Sequence, residues 1–116
     1  MPHLSPFVVH GSFAFFSGQL GWDQDRVLPD GIAAQTTQCL ENIRATLTEA
    51  GLDPADIVKT TVFLTEKRDY AAFDEAYAAF LGANKPARST VIAQLAIDGA
   101  LIEIEVVAAI GDRQPG

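Results

Sequence analysis

Ile57-Val58-Lys59-Thr60-Thr61-Val62-Phe63-Leu64 is rich in β-branched residues and follows the turn sequence Asp53-Pro54-Ala55-Asp56, which itself allows one helical turn. Side chains stiff at χ1 pack well on a pleated surface, so this run reads as a central strand. By strand parity one face carries Val58, Thr60, Val62 and Leu64, and the other Ile57, Lys59, Thr61 and Phe63. Helical spacing flanks it on both sides. From Ile32 to Ala50, the residues Ile32, Thr36, Cys39/Leu40, Ile43, Leu47 and Ala50 recur every three or four positions, and Gly51 is a ready stop. From about Asp69 to Leu81, Tyr70, Phe73, Tyr77 and Phe80/Leu81 share one face, with Gly82 after them. A strand between two amphipathic helices restricts the chain to layered packing of helices on a sheet.

The ends of the chain supply more strands. Phe7-Val8-Val9, the turn His10-Gly11-Ser12 and Phe13-Ala14-Phe15-Phe16-Ser17 read as a hairpin. Gly18 closes it, either as a bulge or turn, or as a place where another group approaches the backbone. Gly21 to Gly31 is a loop containing Trp22, with Asp30 as the expected N-cap of the first helix. Pro86 biases Lys85 toward extended geometry, so a strand begins just after it, with Arg88, Thr90 and Ile92 on one face and Ser89, Val91 and Ala93 on the other. Leu101 to Ala108 alternates again, placing Glu103 and Glu105 opposite Ile102, Ile104 and Val106. The Asp98-Gly99 turn between these two runs predicts that they lie side by side. The order β-β-α-β-α-β-β gives an α+β domain: a single sheet with both helices on one face. The uncovered face then carries Lys59, Thr61, Phe63, Arg88, Thr90, Ile92, Glu103, Glu105 and Val107. A face that is neither apolar nor polar predicts a subunit interface, hence a symmetric oligomer with a site at the seam.

Composition narrows the chemistry. The 116 residues are enough for one domain (1–116), and 48% hydrophobic with 20% charged residues describes a globular chain. A net charge of −7 with scattered cations opposes nucleic-acid binding, though not capture of a small anion in a local basic pocket. Cys39, the single cysteine, lies on the first helix's apolar stripe and reads as a small buried hydrophobe; no disulfide and no metal cluster is expected. Asp69, Asp74 and Glu75 read as a solvated helix face, and the aromatic stripe as core. His3 and His10 lie near the N-terminus, and no P-loop, G-x-S-x-G or H-E-x-x-H occurs. The N-terminus lacks the pattern of a signal peptide and no apolar run is long enough to span a membrane, so a soluble cytoplasmic protein is expected. The polar tail from Gly111, with Pro115 and Gly116, is expected to fray. Any catalysis falls to Arg, Glu, hydroxyls and backbone amides.

Ser17-Gly18-Gln19, Ala34-Gln35-Thr36, Leu40-Glu41-Asn42-Ile43, Val58 to Leu64, Pro86-Ala87-Arg88-Ser89-Thr90-Val91 and Ile102-Glu103-Ile104-Glu105 occur in the order in which they occur in the Rid/YjgF family, the reactive intermediate (imine/enamine) deaminases. The chain resembles that family from about Pro6 to Ile110. The resemblance implies a chorismate-mutase-like fold, a homotrimer with sites at the subunit interfaces, and no cofactor or metal. It implies hydrolysis of small 2-imino and enamine acids to 2-oxo acids and ammonia, as in 2-iminobutanoate/2-iminopropanoate deaminases of the RidA type. It further implies that Arg88 holds the substrate carboxylate, that Glu103 positions a water, and that Ser17, Gly18 and Thr90 line the cleft.

Those roles are chemically coherent. A guanidinium grips a carboxylate as a bidentate fork, and an imine needs only a placed water and an acceptor for its protons. The competing structural role for Arg88 is an ion pair with Glu103 or Glu105; the choice of Glu103 over Glu105 rests on the resemblance alone. Two positions depart from the family pattern: Phe7 stands where a cleft tyrosine is common, and Thr90 where cysteine is common. The loss of the phenol favours, as an alternative, a non-catalytic trimer that binds a small carboxylate or a protein partner. An endoribonuclease, the activity attributed to some relatives, is opposed by the charge.

Overall fold

Phe7–His10 (β1) and Phe13–Phe16 (β2) form the antiparallel hairpin, with Phe7 opposite Phe16 and His10 opposite Phe13. These and the features below come from a computed structural model that describes residues 2–111, so the polar tail beyond Gly111 lies outside the described residues. Helix α1 spans Ile32–Glu49 and α2 Tyr70–Leu81; strands β3, β4 and β5 span Ile57–Leu64, Ala87–Ile92 and Ile102–Ala109. Single 3₁₀ turns, Pro54–Asp56 and Lys67–Asp69, precede β3 and α2.

The five strands make one mixed sheet in the order β1-β2-β5-β3-β4. Only β3 and β4 run parallel, joined by the α2 crossover that a parallel pair requires. The helix-covered face carries Thr60, Val62 and Leu64 opposite Val106, Ile104 and Ile102. Against them pack Cys39, Leu40, Ile43 and Leu47 of α1 and Phe73, Tyr77 and Leu81 of α2, all in one core. Each fully buried Leu or Ile contributes on the order of 2 kcal/mol, so this one layer dominates the stability.

The helix ends differ in how they are made. The N-cap of α1 is Gly31, with no side-chain cap, so Asp30 does not have the expected role. Its C-terminus is a Schellman closure: the Leu52 amide donates to the Leu47 carbonyl and the Gly51 amide to Thr48, with Gly51 at a φ of 77°. The 3₁₀ turn before β3 is a reciprocal capping box between Asp53 and Asp56.

Two expectations about faces are corrected. A register shift at Ile57/Lys59 turns Ile57 into the core and leaves Val58 exposed, so simple alternation fails at the start of β3. More consequentially, β4 does not pair with β5; β3 lies between them. Arg88 is opposite Thr60 and Thr90 opposite Val62, which places both on the helix-covered side with Ile92. The uncovered face carries Ser89 and Val91 beside Thr61 and Phe63, then Glu105 and Glu103, then Val107 beside Phe15. Val8, Phe15 and Val91 are exposed on it, so its mixed character stands. No helix among the described residues is long and apolar enough to cross a membrane.

Candidate active site

Arg88 is fixed by α2. Its Nη1 donates to Asp74 Oδ1 at 2.8 Å and its Nη2 to the Tyr70 hydroxyl at 2.6 Å. The guanidinium carbon lies 4.9 Å from the ring centre of Tyr77, 5.1 Å from Phe73 and 5.6 Å from Tyr70. Burial works against the charge, but the Asp74 hydrogen bond and the surrounding groups outweigh it, and the Arg88 pKa moves up. The pairing with Glu103 or Glu105 weighed from the sequence is therefore replaced by one with Asp74. Two N–H donors are used, and the planar fork has others to offer a ligand. A groove of about 460 Å³, lined by Asp74, Tyr77, Leu81, Asn84, Lys85 and Arg88 among others, opens beside it. Thr90 is half-buried two residues along the same face. Tyr77 is held from below by a buried 2.7 Å hydrogen bond between its hydroxyl and Thr60 Oγ1; burial raises its pKa and the Thr60 bond partly opposes this.

Glu103 belongs to a second cluster. Its carboxylate lies directly against Gly18, where a Cβ would overlap it, so the close-approach reading of that glycine holds. Gly18 is kept there because Gln19 exchanges backbone hydrogen bonds with Ile104, and because the Ser17 amide donates to the Pro6 carbonyl. The Ser17 hydroxyl donates to the Ser5 carbonyl at 2.6 Å. Glu103 and Glu105 together line a cleft of about 280 Å³ with Phe63 and residues 93–96. Burial first, and then the like charge of Glu105, push the Glu103 pKa up. Phe7 is half-buried with its ring 5.4 Å from that of Phe16, packed against the core.

The structure thus joins Ser17, Gly18 and Glu103, and separately Arg88 and Thr90, but does not join the two groups. They lie on opposite faces of the sheet: two strand spacings, about 10 Å, separate β4 from β5, and Arg88 and Glu103 are a further three residues apart along β3. Sequence reasoning missed Asp74 and Tyr70 as partners of Arg88, although Tyr70, Asp74 and Tyr77 share a helix face by their spacing. The Cys39 thiol is buried and its pKa is pushed up by that burial, which disfavours the thiolate that a nucleophile needs. No group of metal-ligating side chains occurs among the described residues.

Residues 1–110 match the Endoribonuclease L-PSP family. A RutC family protein of Pyrococcus horikoshii is 40% identical over 100 residues, 84% of this chain and 79% of that one. RidA from the Antarctic bacterium Psychrobacter sp. superposes with a TM-score of 0.89 at 36% identity, covering 94% of this chain and 89% of that one. The YjgF gene product of E. coli gives 0.85 at 36% identity, covering 91% and 87%. E. coli TdcF, solved with bound serine, gives 0.87 at 33% identity, covering 94% and 89%. With the family match over nearly the whole chain and the same fold in relatives about one-third identical, the chain belongs to the YjgF/RidA/L-PSP family.

Proposed function

We propose that this protein is a cofactor-independent hydrolase that converts small 2-imino and enamine acids to 2-oxo acids and ammonia, a 2-iminobutanoate/2-iminopropanoate deaminase of the RidA type. The observation that carries the reading is Arg88: a guanidinium held under three aromatic rings at the unpaired edge of the sheet, with N–H donors left for a carboxylate. The E. coli relative that binds serine supports a small amino-acid-like ligand for this fold. Arg88 fixes the substrate carboxylate and so the imine carbon beside it. Glu103 orients a water, accepts its proton as oxygen adds to the C=N carbon, and returns a proton to nitrogen. The carbinol O–H proton then passes to the nitrogen through the same carboxylate as the C–N bond breaks, so that ammonia leaves and the oxygen becomes the 2-oxo group. Its raised pKa suits a carboxylate that must both take and give a proton. Ser17, Gly18, Thr90 and Phe7 shape the cleft.

Because Arg88 and Glu103 lie on opposite faces in one chain, one substrate reaches both only if they come from different copies. A contact between unlike patches generates a ring where its rotation closes, and with the family resemblance we assign the homotrimer with three interfacial sites. The exposed Val8, Phe15 and Val91 and the unpaired β4 edge are surfaces that such assembly would bury.

The test is 2-oxo-acid release from imino acids generated in situ by an amino-acid oxidase. The wild type should accelerate it, and Arg88→Ala should fall to the uncatalysed rate while remaining folded. An active Arg88→Ala protein would remove the carboxylate clamp. Absence of acceleration with any imino acid would favour a non-catalytic carboxylate-binding trimer, the reading supported by Phe7, whose ring lacks a hydroxyl and packs on Phe16. The net charge of −7 opposes the ribonuclease activity that the family's name carries, and salt-independent failure to retain RNA would exclude it.

A further inference from the structure

Asp74 has no part in the reaction above, yet it touches the group most central to it. Its Oδ1 accepts the Arg88 Nη1 hydrogen bond at 2.8 Å, while 48% of its side chain remains exposed. Its second oxygen has no hydrogen-bond partner among the described residues, and Asp74 lines the same groove of about 460 Å³. Tyr70 and Tyr77, on the same helix face, flank it and hold the guanidinium in place. A carboxylate entering this groove therefore meets a cation already partly neutralised, beside a fixed negative charge.

We propose that Asp74 sets charge specificity at the Arg88 groove: it admits substrates with one carboxylate, favours those whose side chain carries a cation, and rejects 2-imino dicarboxylates. This rests on the reading of Arg88 as the carboxylate clamp. A first carboxylate uses the free N–H donors of Arg88. A second has no unneutralised guanidinium left and lies near the Asp74 carboxylate. A side-chain ammonium or guanidinium instead reaches the open Asp74 oxygen. Lys85 also lines the groove, but it is exposed, where solvent and salt screen its charge; Asp74 is in direct contact with the clamp. At the separations such a groove allows and with partial solvation, one added charge changes affinity by roughly tenfold.

The test measures binding rather than turnover, using non-reacting ligands of one chain length: pentanoate, glutarate and 5-aminopentanoate. Calorimetry on the full chain should rank 5-aminopentanoate above pentanoate and pentanoate above glutarate. Asp74→Asn keeps the shape and the hydrogen bond to Arg88 but removes the charge. It should improve glutarate relative to pentanoate by about tenfold and remove the advantage of 5-aminopentanoate. Equal changes for all three ligands would mean a purely structural role and overturn the proposal, as would unchanged ratios or no binding of any carboxylate. Arg88→Ala separates the two claims. If it binds pentanoate as the wild type does, the clamp itself fails; if it does not and the ratios in Asp74→Asn stay fixed, only the role of Asp74 falls.

Discussion

Gly18→Ala probes how Glu103 is held. A methyl group there would overlap the Glu103 carboxylate and lie 3.0 Å from its Cδ and 3.1 Å from its Cγ. The obstruction is the far end of a flexible side chain, so Glu103 swings away and the backbone stays. Gly18 is outside the left-handed region, so alanine adds no backbone strain. Restricting the unfolded chain even favours the variant by about 0.4–1 kcal/mol. The melting temperature should therefore remain within about 5 °C of the wild type. Catalysis should not survive intact: displacing a catalytic group by about 1 Å costs on the order of 100-fold. Gly21→Ala is the matched control. There a Cβ would lie 2.7 Å from the Gln35 carbonyl oxygen and 3.1 Å from its Cα, a helix backbone that cannot step aside. That variant should lose about 1–3 kcal/mol of stability. Thermal melts and initial rates of ammonia release on both variants decide the matter. A Gly18→Ala protein that melts and turns over like the wild type would refute the placement of Glu103 as the source of its activity.

Two further predictions concern the groups around the two clusters. Burial and then the charge of Glu105 raise the Glu103 pKa, and the proposed base acts only when ionised, so activity should fall as pH drops through that raised value. Glu105→Gln should move the acidic limb of the rate profile to lower pH; a limb that does not move contradicts the coupling. The stability sign follows from the same shift: the Glu103 contribution is complete below the ordinary carboxylate range and is lost as pH rises through the raised pKa, so Glu105→Gln should lessen that loss. Tyr77→Phe strands the buried Thr60 hydroxyl, whose 2.7 Å partner is the Tyr77 phenol, and should cost about 1–3 kcal/mol by denaturant unfolding. Unchanged stability would mean that Thr60 finds another hydrogen-bond partner.

The elements were legible because their signals are local. β-branched density marks Ile57–Leu64 over its full length, and the three-and-four spacing of Thr36, Cys39, Leu40, Ile43 and Leu47 marks the buried stripe of α1. The site was less legible because strand parity says which residues share a face, not which face it is. Arg88 and Thr90 share one, as expected, but β4 returns beneath α2 and pairs with β3, which turns that face toward the helices. The Asp98-Gly99 signal describes a turn within the β4–β5 connection, and no local feature of it specifies that β3 comes between them. The same topology brings Asp74 onto Arg88 across 14 positions, a pairing that helix spacing alone leaves unspecified. Gly18 was readable only as two alternatives because its neighbour, Glu103, is brought to it by the bridge between Gln19 and Ile104.

The most direct test of a site divided between copies is complementation. Arg88→Ala and Glu103→Gln proteins should each be inactive alone. Unfolded together in equal amounts and refolded, they should regain about a quarter of wild-type 2-oxo-acid release, the fraction of seams in a random ring that pair an intact Arg88 with an intact Glu103. A mixture as inactive as its components would contradict the account, because it would place both residues of each working site on one chain.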